Sequence, residues 1–284
     1  MIKLKTFSKI LIAFSKRNLR FTIDLFIIFF CSIFNLFRFQ KLFDNNIVFV
    51  SAADYKYFDN LIKLIDSFYK HLDNTLLIFD IGLTEVQNNY LKNNYKNLVI
   101  KKFDFNQYPK FIEKNFDGKL GSYAWKAIIV NQVLHQSKSK VVWLDAGNLI
   151  TKRIILLKIA LTTLGIVVPT SSNSINKWTH SKTIEYIGIN NKNLNKNNYA
   201  SGLVGFDYTS IKAKKVSDLW SKYSQIEDCI APPGSSRENH RQDQALLTLL
   251  LYKYFFDNNL KKFFYPQTNF IFGVLFHERK IYQF

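Results

Sequence analysis

Cysteine, glycine, proline and acidic residues are all scarce in this chain, and each shortage excludes something. The two cysteines, Cys31 and Cys229, lie far apart among 284 residues. They form neither a disulfide framework nor a metal-site spacing, so a reducing compartment is expected. Ten glycines and five prolines are too few for a flexible linker between two equal domains. Asp and Glu number 21 against 39 Lys and Arg, a formal net charge of +18. There is nevertheless no long basic block and no RNP, helix-turn-helix or zinc-finger pattern, so no nucleic-acid partner is expected. An anionic membrane surface or a phosphate-bearing small molecule suits this charge distribution better. Asparagine is abundant, yet no Asn-x-Ser/Thr acceptor occurs, and no small-x-small cleavage site follows the apolar N-terminal run.

Hydrophobic residues make up 48% of the chain, enough for one large α/β domain with a substantial core. The first 41 residues hold eight Lys/Arg against Asp24 alone. Within them Leu4, Phe7, Leu11 and Phe14 recur at helical spacing between lysines, the pattern of a basic amphipathic helix. The run "LFIIFFCSIFNLF" (25–37) has 11 apolar residues in 13, short of the roughly 20 that a spanning helix needs. Residues 1–43 are therefore expected to associate with a membrane as a surface or re-entrant anchor. A true single span of type II topology and a helix packed on the protein's own core are the alternatives. The short run, its boundary at Asp24, and Arg38 and Lys41 on its far side favour the cytosolic face.

From residue 46 the pattern becomes regular. "NIVFVSAA", "NTLLIFDIG", "NLVIKKF" and "KVVWLDAG" read as strands. They alternate with helices over "YFDNLIKLIDSFYKHL", "LTEVQNNYLKNNY" (opened by Thr84) and "SYAWKAIIVNQVLHQ". Such alternation implies right-handed crossovers and a mainly parallel, Rossmann-type sheet, with nucleotides bound at the carboxyl ends of its strands. Further strands are expected over "LGIVVPT" and "YASGLVGFDY", with a polar loop between them. Helices are expected over "IKAKKVSDLWSKYSQI" and "RQDQALLTLLLYKYF", separated by an "APPGSS" turn.

Asp145 ends an apolar strand, because an ionised carboxylate is too costly to bury unpaired. It can offer a hard oxygen to Mg²⁺ or Mn²⁺, or else cap the following segment or pair with a lysine. Asp54 and Tyr57 follow the first strand, where a ribose or base is read; a plain cap and turn is the competing explanation. Lys126 near a helix start can neutralise a diphosphate or simply be solvated. Trp178 can stack on a sugar or anchor its own loop. His240 and Arg241 precede Asp243, where a His–Asp pair would serve acid/base work or capping.

The order "SAADYKYF … GSYAWKAIIVNQVL … VVWLDAGN … NYASGLVGF … RQDQALL" resembles GT-A-fold glycosyltransferases over about residues 46–250. It is similar to family 8-type sugar transferases and to predicted transferases with a "YAWKP…WLDAG" pattern. The resemblance implies one GT-A-like domain over 46–284. It implies that Ala53, Asp54 and Tyr57 hold the nucleoside, that Lys126 faces the phosphates, and that Ser201 and Gly202 lie beneath the donor sugar. Asp243 would stand beside the reacting centre as the catalytic carboxylate. Asp145 would be the first carboxylate of an Asp-x-Asp metal motif, with His277 as a further ligand. Gly147 stands where the second aspartate belongs, which leaves the Mn²⁺ or Mg²⁺ site incomplete. The expected activity is transfer of a sugar from a nucleotide-diphosphate donor to a glycan or glycolipid hydroxyl. A non-catalytic membrane-associated scaffold and a sugar-phosphate nucleotidyltransferase are the alternatives, and the latter usually has a Gly-rich basic loop that "SAADYKYF" lacks.

Overall fold

The structure, a computed structural model, describes residues 19–29, 46–113, 121–256 and 269–276. The apolar, mostly unbroken character of β1 (Ile47–Ala53), β2 (Leu76–Asp80) and β4 (Lys140–Leu144) suits strands covered on both faces, and all but Val48 are buried. With β3 (Leu98–Lys102) they form the parallel part of a six-stranded sheet. Its order is β3-β2-β1-β4-β9-β6, where β6 is Ile166–Val167 and β9 is Leu203–Asp207. The last two pairings, β4 with β9 and β9 with β6, are antiparallel. The expected mainly parallel α/β sheet is thus present, with an antiparallel edge.

The helices cover both faces. Phe49, Val142 and Leu203 belong to one buried cluster with Leu61, Ile65 and Phe68 of α1 (Phe58–His71). Val50, Val141, Trp143 and Phe206 point the other way, as the two-residue period of a strand requires. They meet Ile128 and Ile129 of α3 (Ala124–Ser137) and Trp220 of α6 (Ile211–Ser224). Each such side chain contributes about 1.5–3 kcal/mol by leaving water. Helix α2 (Glu85–Asn94) opens at Thr84 as expected, and its cap is reciprocal with Gln87.

Local chemistry shortened or divided three expected elements. Gly165 (φ +84°) ends α4 (Ile155–Leu164), and Pro169, which has no N–H to donate, follows soon after, so β6 has two residues. The "YASGLVGFDY" strand is split into β8 (Asn197–Tyr199) and β9 because the backbone at Ala200–Gly202 bonds elsewhere: Ala200 N–H donates to the Pro169 carbonyl, and the Gly202 carbonyl accepts from Asp145 N–H. The expected polar loop contains β7 (Thr170–Ser174), paired antiparallel with β8. A second small sheet joins β5 (Asn148–Ile150) to β10 (Val274–Phe276).

Residues 19–29 are helical. Ile28 joins the α1-side cluster, with Phe21 and Leu25 packed against it. Buried Asp24 is ion-paired with Arg20 at 2.9 Å. No helix among the described residues is long and apolar enough to cross a membrane. The expected amphipathic helix before residue 19 and the apolar run beyond residue 29 lie outside the described residues.

Candidate active site

At the carboxyl end of β4 the chain turns through Asp145–Asn148, closed by Asn148 N–H donating to the Asp145 carbonyl at 2.9 Å. Asp145 N–H (2.9 Å) and the Asn148 side-chain amide (2.6 Å) both donate to the Gly202 carbonyl, tying this turn to the start of β9. Trp143 Nε1 donates to Asp145 Oδ1 at 2.7 Å and fixes the carboxylate. A Cβ at Gly147 would meet nothing within 4 Å, so crowding does not explain the absence of a second aspartate.

Lys126 holds the site together. The two residues before α3, Ser122 (φ 51°) and Tyr123 (φ 60°), are both left-handed, a local strain of the kind that fixes a functional geometry. Four residues on, the ammonium of Lys126 lies 3.0 Å from Asp145 Oδ1 and 3.0 Å from Asp243 Oδ2. The Ser201 hydroxyl and carbonyl complete its surroundings at 3.3 and 3.4 Å. The Lys126 side chain is 4% exposed, Asp243 6% and Asp145 44%. Burial opposes the Lys126 charge, but the carboxylates of Asp145 and Asp243 overcome it and hold the pKa above the ordinary lysine value. Burial pushes the Asp243 carboxyl up, and the pull of Lys126 and Ser201 in the other direction only partly offsets this. Asp243 sits in the first turn of α7 (Gln242–Leu250), directly after left-handed Gln242 (φ 35°). Its carbonyl accepts from Trp220 Nε1 at 3.0 Å.

These groups face a cavity of about 290 Å³, which is also lined by Tyr123, Ser171, Ser172, Trp178, Arg237 and Arg241. Of the residues expected from the sequence, Lys126, Asp145, Ser201, Gly202 and Asp243 meet here. Among the readings of Asp145, the lysine partner is present, and its side chain does not cap. Lys126 is buried rather than solvated, and both carboxylates draw on its charge. Ala53, Asp54 and Tyr57 lie at the carboxyl end of β1, beside β4 in the sheet but outside the cavity wall. Asp54 Oδ1 caps the turn by accepting from Lys56 N–H (3.0 Å) and Tyr57 N–H (3.3 Å), and Tyr57 packs on the α1-side core. His277 lies outside the described residues.

His240 does not pair with Asp243. It is fully buried, its Nδ1 accepts from His180 N–H at 3.2 Å, and its Nε2–H donates to the Ile230 carbonyl at 2.8 Å. Trp178 is anchored by Nε1 donating to the Ser172 carbonyl at 3.0 Å while still lining the cavity. Arg237, Tyr123 and the serines of β7 were not recognisable as site residues in the sequence. Arg237 and the serines stand in segments without hydrophobic periodicity, Tyr123 stands at the start of an apolar helix, and only folding brings them to β4.

As a metal site the cavity is incomplete. Asp145 Oδ1 is occupied by Trp143 and Lys126, Gly147 supplies no oxygen, and no group of three His, Cys, Asp or Glu among the described residues could hold an ion. The exposed side of the Asp145 carboxylate fits one ligand position of an ion held otherwise by phosphate and water.

A family model described as a protein of unknown function (DUF1647) matches residues 31–131. A search of curated proteins returned no match. Among solved structures, the WbbM bifunctional glycosyltransferase aligns over 75% of this chain and 38% of its own, with 14% identity and a TM-score of 0.50. The galactosyltransferase LgtC, in complex with donor and acceptor sugar analogues, aligns over 73% of this chain and 71% of its own (16% identity, TM-score 0.47). Mouse xyloside xylosyltransferase 1 aligns over 82% and 97% (10% identity, TM-score 0.46). The chain therefore shares its fold with the WbbM glycosyltransferase over three quarters of its own length, while spanning 38% of that protein.

Proposed function

We propose that this protein is a glycosyltransferase that moves a sugar from a nucleotide-diphosphate donor to a glycan or glycolipid hydroxyl. The observation that carries this reading is the buried Lys126 bridge between Asp145 and Asp243, set in a polar cavity at the carboxyl edge of the sheet. In α/β sheets this edge is where nucleotides bind. The nucleoside would lie at the end of β1, by Ala53, Asp54 and Tyr57, with the diphosphate directed toward Asp145 and the sugar over Ser201–Gly202. Asp243, held in place by Lys126, would contact the sugar beside the reacting carbon. Mg²⁺ or Mn²⁺, entering with the diphosphate and taking one oxygen of Asp145, would supply leaving-group neutralisation. The cavity positions the acceptor hydroxyl: its oxygen bonds the anomeric carbon as the bond from that carbon to the diphosphate oxygen breaks, and its proton leaves with the departing nucleoside diphosphate.

The test is calorimetric titration of UDP- and GDP-sugars with and without Mn²⁺, followed by assay of nucleoside diphosphate release. Asp145→Asn should weaken donor binding and metal response, and Gly147→Asp, for which there is room, should strengthen the Mn²⁺ dependence. Absence of binding across a broad donor panel would leave only the scaffold reading.

For location, the proposal is attachment to the cytosolic face of a membrane. It is supported by Leu19, Phe26 and Phe29, which are 63–66% exposed and recur on one side of the 19–29 helix, in the most basic part of the chain. The opposite side of that helix packs on the core, which favours a surface contact over a span through these residues. Vesicle flotation is its test.

A further inference from the structure

The cavity lining holds two cations besides Lys126. Lys126 is one ammonium shared by two carboxylates, so its charge is already engaged within that corner. The remaining cations of the lining are Arg237 and Arg241, and each lies against an aromatic ring, which orients its guanidinium. Arg241 lies over the Trp178 ring, 3.9 Å from its centroid. Arg237 Nη1 donates to the Tyr123 hydroxyl at 3.4 Å, with the guanidinium carbon 5.7 Å from that ring. Among the described residues no carboxylate pairs with Arg237. The Arg237 guanidinium, supported in this way, keeps N–H edges for a carboxylate or phosphate oxygen pair.

Their position separates them from the end of β1. Asp145 has β1 on one side of β4 and, through the Gly202 carbonyl, β9 on the other. The arginine wall belongs to the β9 side. Arg241 N–H donates to the Trp178 carbonyl at 3.0 Å, and Trp178 follows β7, which pairs with β8 just before β9. Ser171, Ser172 and Trp178 complete this wall with groups suited to sugar hydroxyls and a sugar face.

We infer that Arg237 and Arg241 form an acceptor subsite for an anionic group, a carboxylate or a phosphate carried by the acceptor glycan near the hydroxyl that receives the sugar. This rests on the transferase reading and gives its acceptor a chemical class. The experiment is calorimetry on the full chain with methyl β-glucuronide, glucose 6-phosphate and neutral methyl β-glucoside, each titrated with and without saturating UDP. The subsite requires that an anionic sugar bind more tightly than the neutral one and remain bound with UDP present; the better of the two anions identifies carboxylate or phosphate. Arg237→Gln/Arg241→Gln should weaken anionic-sugar binding about tenfold or more while UDP affinity stays within twofold. If the double variant does not fold, Arg237→Gln alone carries the test, and Arg237→Lys should fall between it and the unaltered protein because it keeps the charge and loses the fork. Equal or absent binding of charged and neutral sugars overturns the subsite. Displacement of the anionic sugar by UDP also overturns it, by assigning the arginines to the donor diphosphate. Arginine-dependent anion binding with no nucleotide binding would keep the anion site and remove the transferase reading.

Discussion

At the scale of single residues, Lys126 decides how the site behaves. A buried ion pair adds little net stability because desolvation offsets attraction, but removing one partner strands the other at a cost of about 3–5 kcal/mol. Lys126→Met should therefore destabilise the protein by about that amount in urea melts, with Asp243, already raised by burial, forced to protonate. Adding Asp243→Asn to Lys126→Met should restore most of the stability and none of the activity, since it removes the stranded charge along with the sugar-side carboxylate. A double variant as unstable as the single one would show that the bridge is not the dominant partner of Asp243. Asp145 was legible in the sequence because a carboxylate must leave a buried strand where water begins. Burial of Lys126 was not legible. Lysine is ordinarily exposed, and α3 is apolar nearly all round only because α6 and α7 cover its outer face.

Among the elements, the segment between α6 and α7 supplies Arg237, Arg241 and the start of α7, and His240 fastens it to the turn before α5 (Ser181–Ile187). Burial pushes the His240 pKa down to about 4 from the usual 6.5, more than its bond to the Ile230 carbonyl raises it. A depressed histidine stabilises the fold fully above the unfolded value of 6.5, where it is neutral in both states. Below that pH the unfolded chain takes up the proton first, so this stability is lost as pH falls toward 4. The gap corresponds to about 3 kcal/mol. The unaltered protein should lose that increment between pH 6.5 and 4 in denaturant titrations, and His240→Gln should lower stability at pH 7 and flatten the slope across this window. Parallel pH profiles for the two proteins would mean that His240 takes up its proton at the same pH in the folded and the unfolded chain. The sequence placed this histidine beside a helix start; its pairing with residues 180 and 230 is a contact across the chain that no local spacing encodes.

For the whole molecule, the excess positive charge and the Leu19, Phe26, Phe29 stripe predict one measurement. The full chain should float with vesicles containing anionic phosphatidylglycerol and much less with neutral phosphatidylcholine, each surface Lys or Arg adding about 1 kcal/mol. Phe26→Ser/Phe29→Ser should reduce flotation without altering nucleotide binding, and high salt should weaken what remains. Equal recovery of the variant and the unaltered chain on anionic vesicles would rule this stripe out. The sequence by itself determined the α/β class, the helix caps, the strand that carries Asp145 and the succession of motifs, because these depend on side-chain period and on hydrogen bonds between near neighbours. Only the tertiary structure decided that β9 runs antiparallel, that Asp145 and Asp243 share one ammonium, and that Arg237 and Arg241 face them across a cavity. The physical reason is that pairing direction and charge partnership depend on which surfaces exclude water together, and these residues, carried by segments far apart in the chain, meet only after the sheet and its covering helices have closed over Lys126.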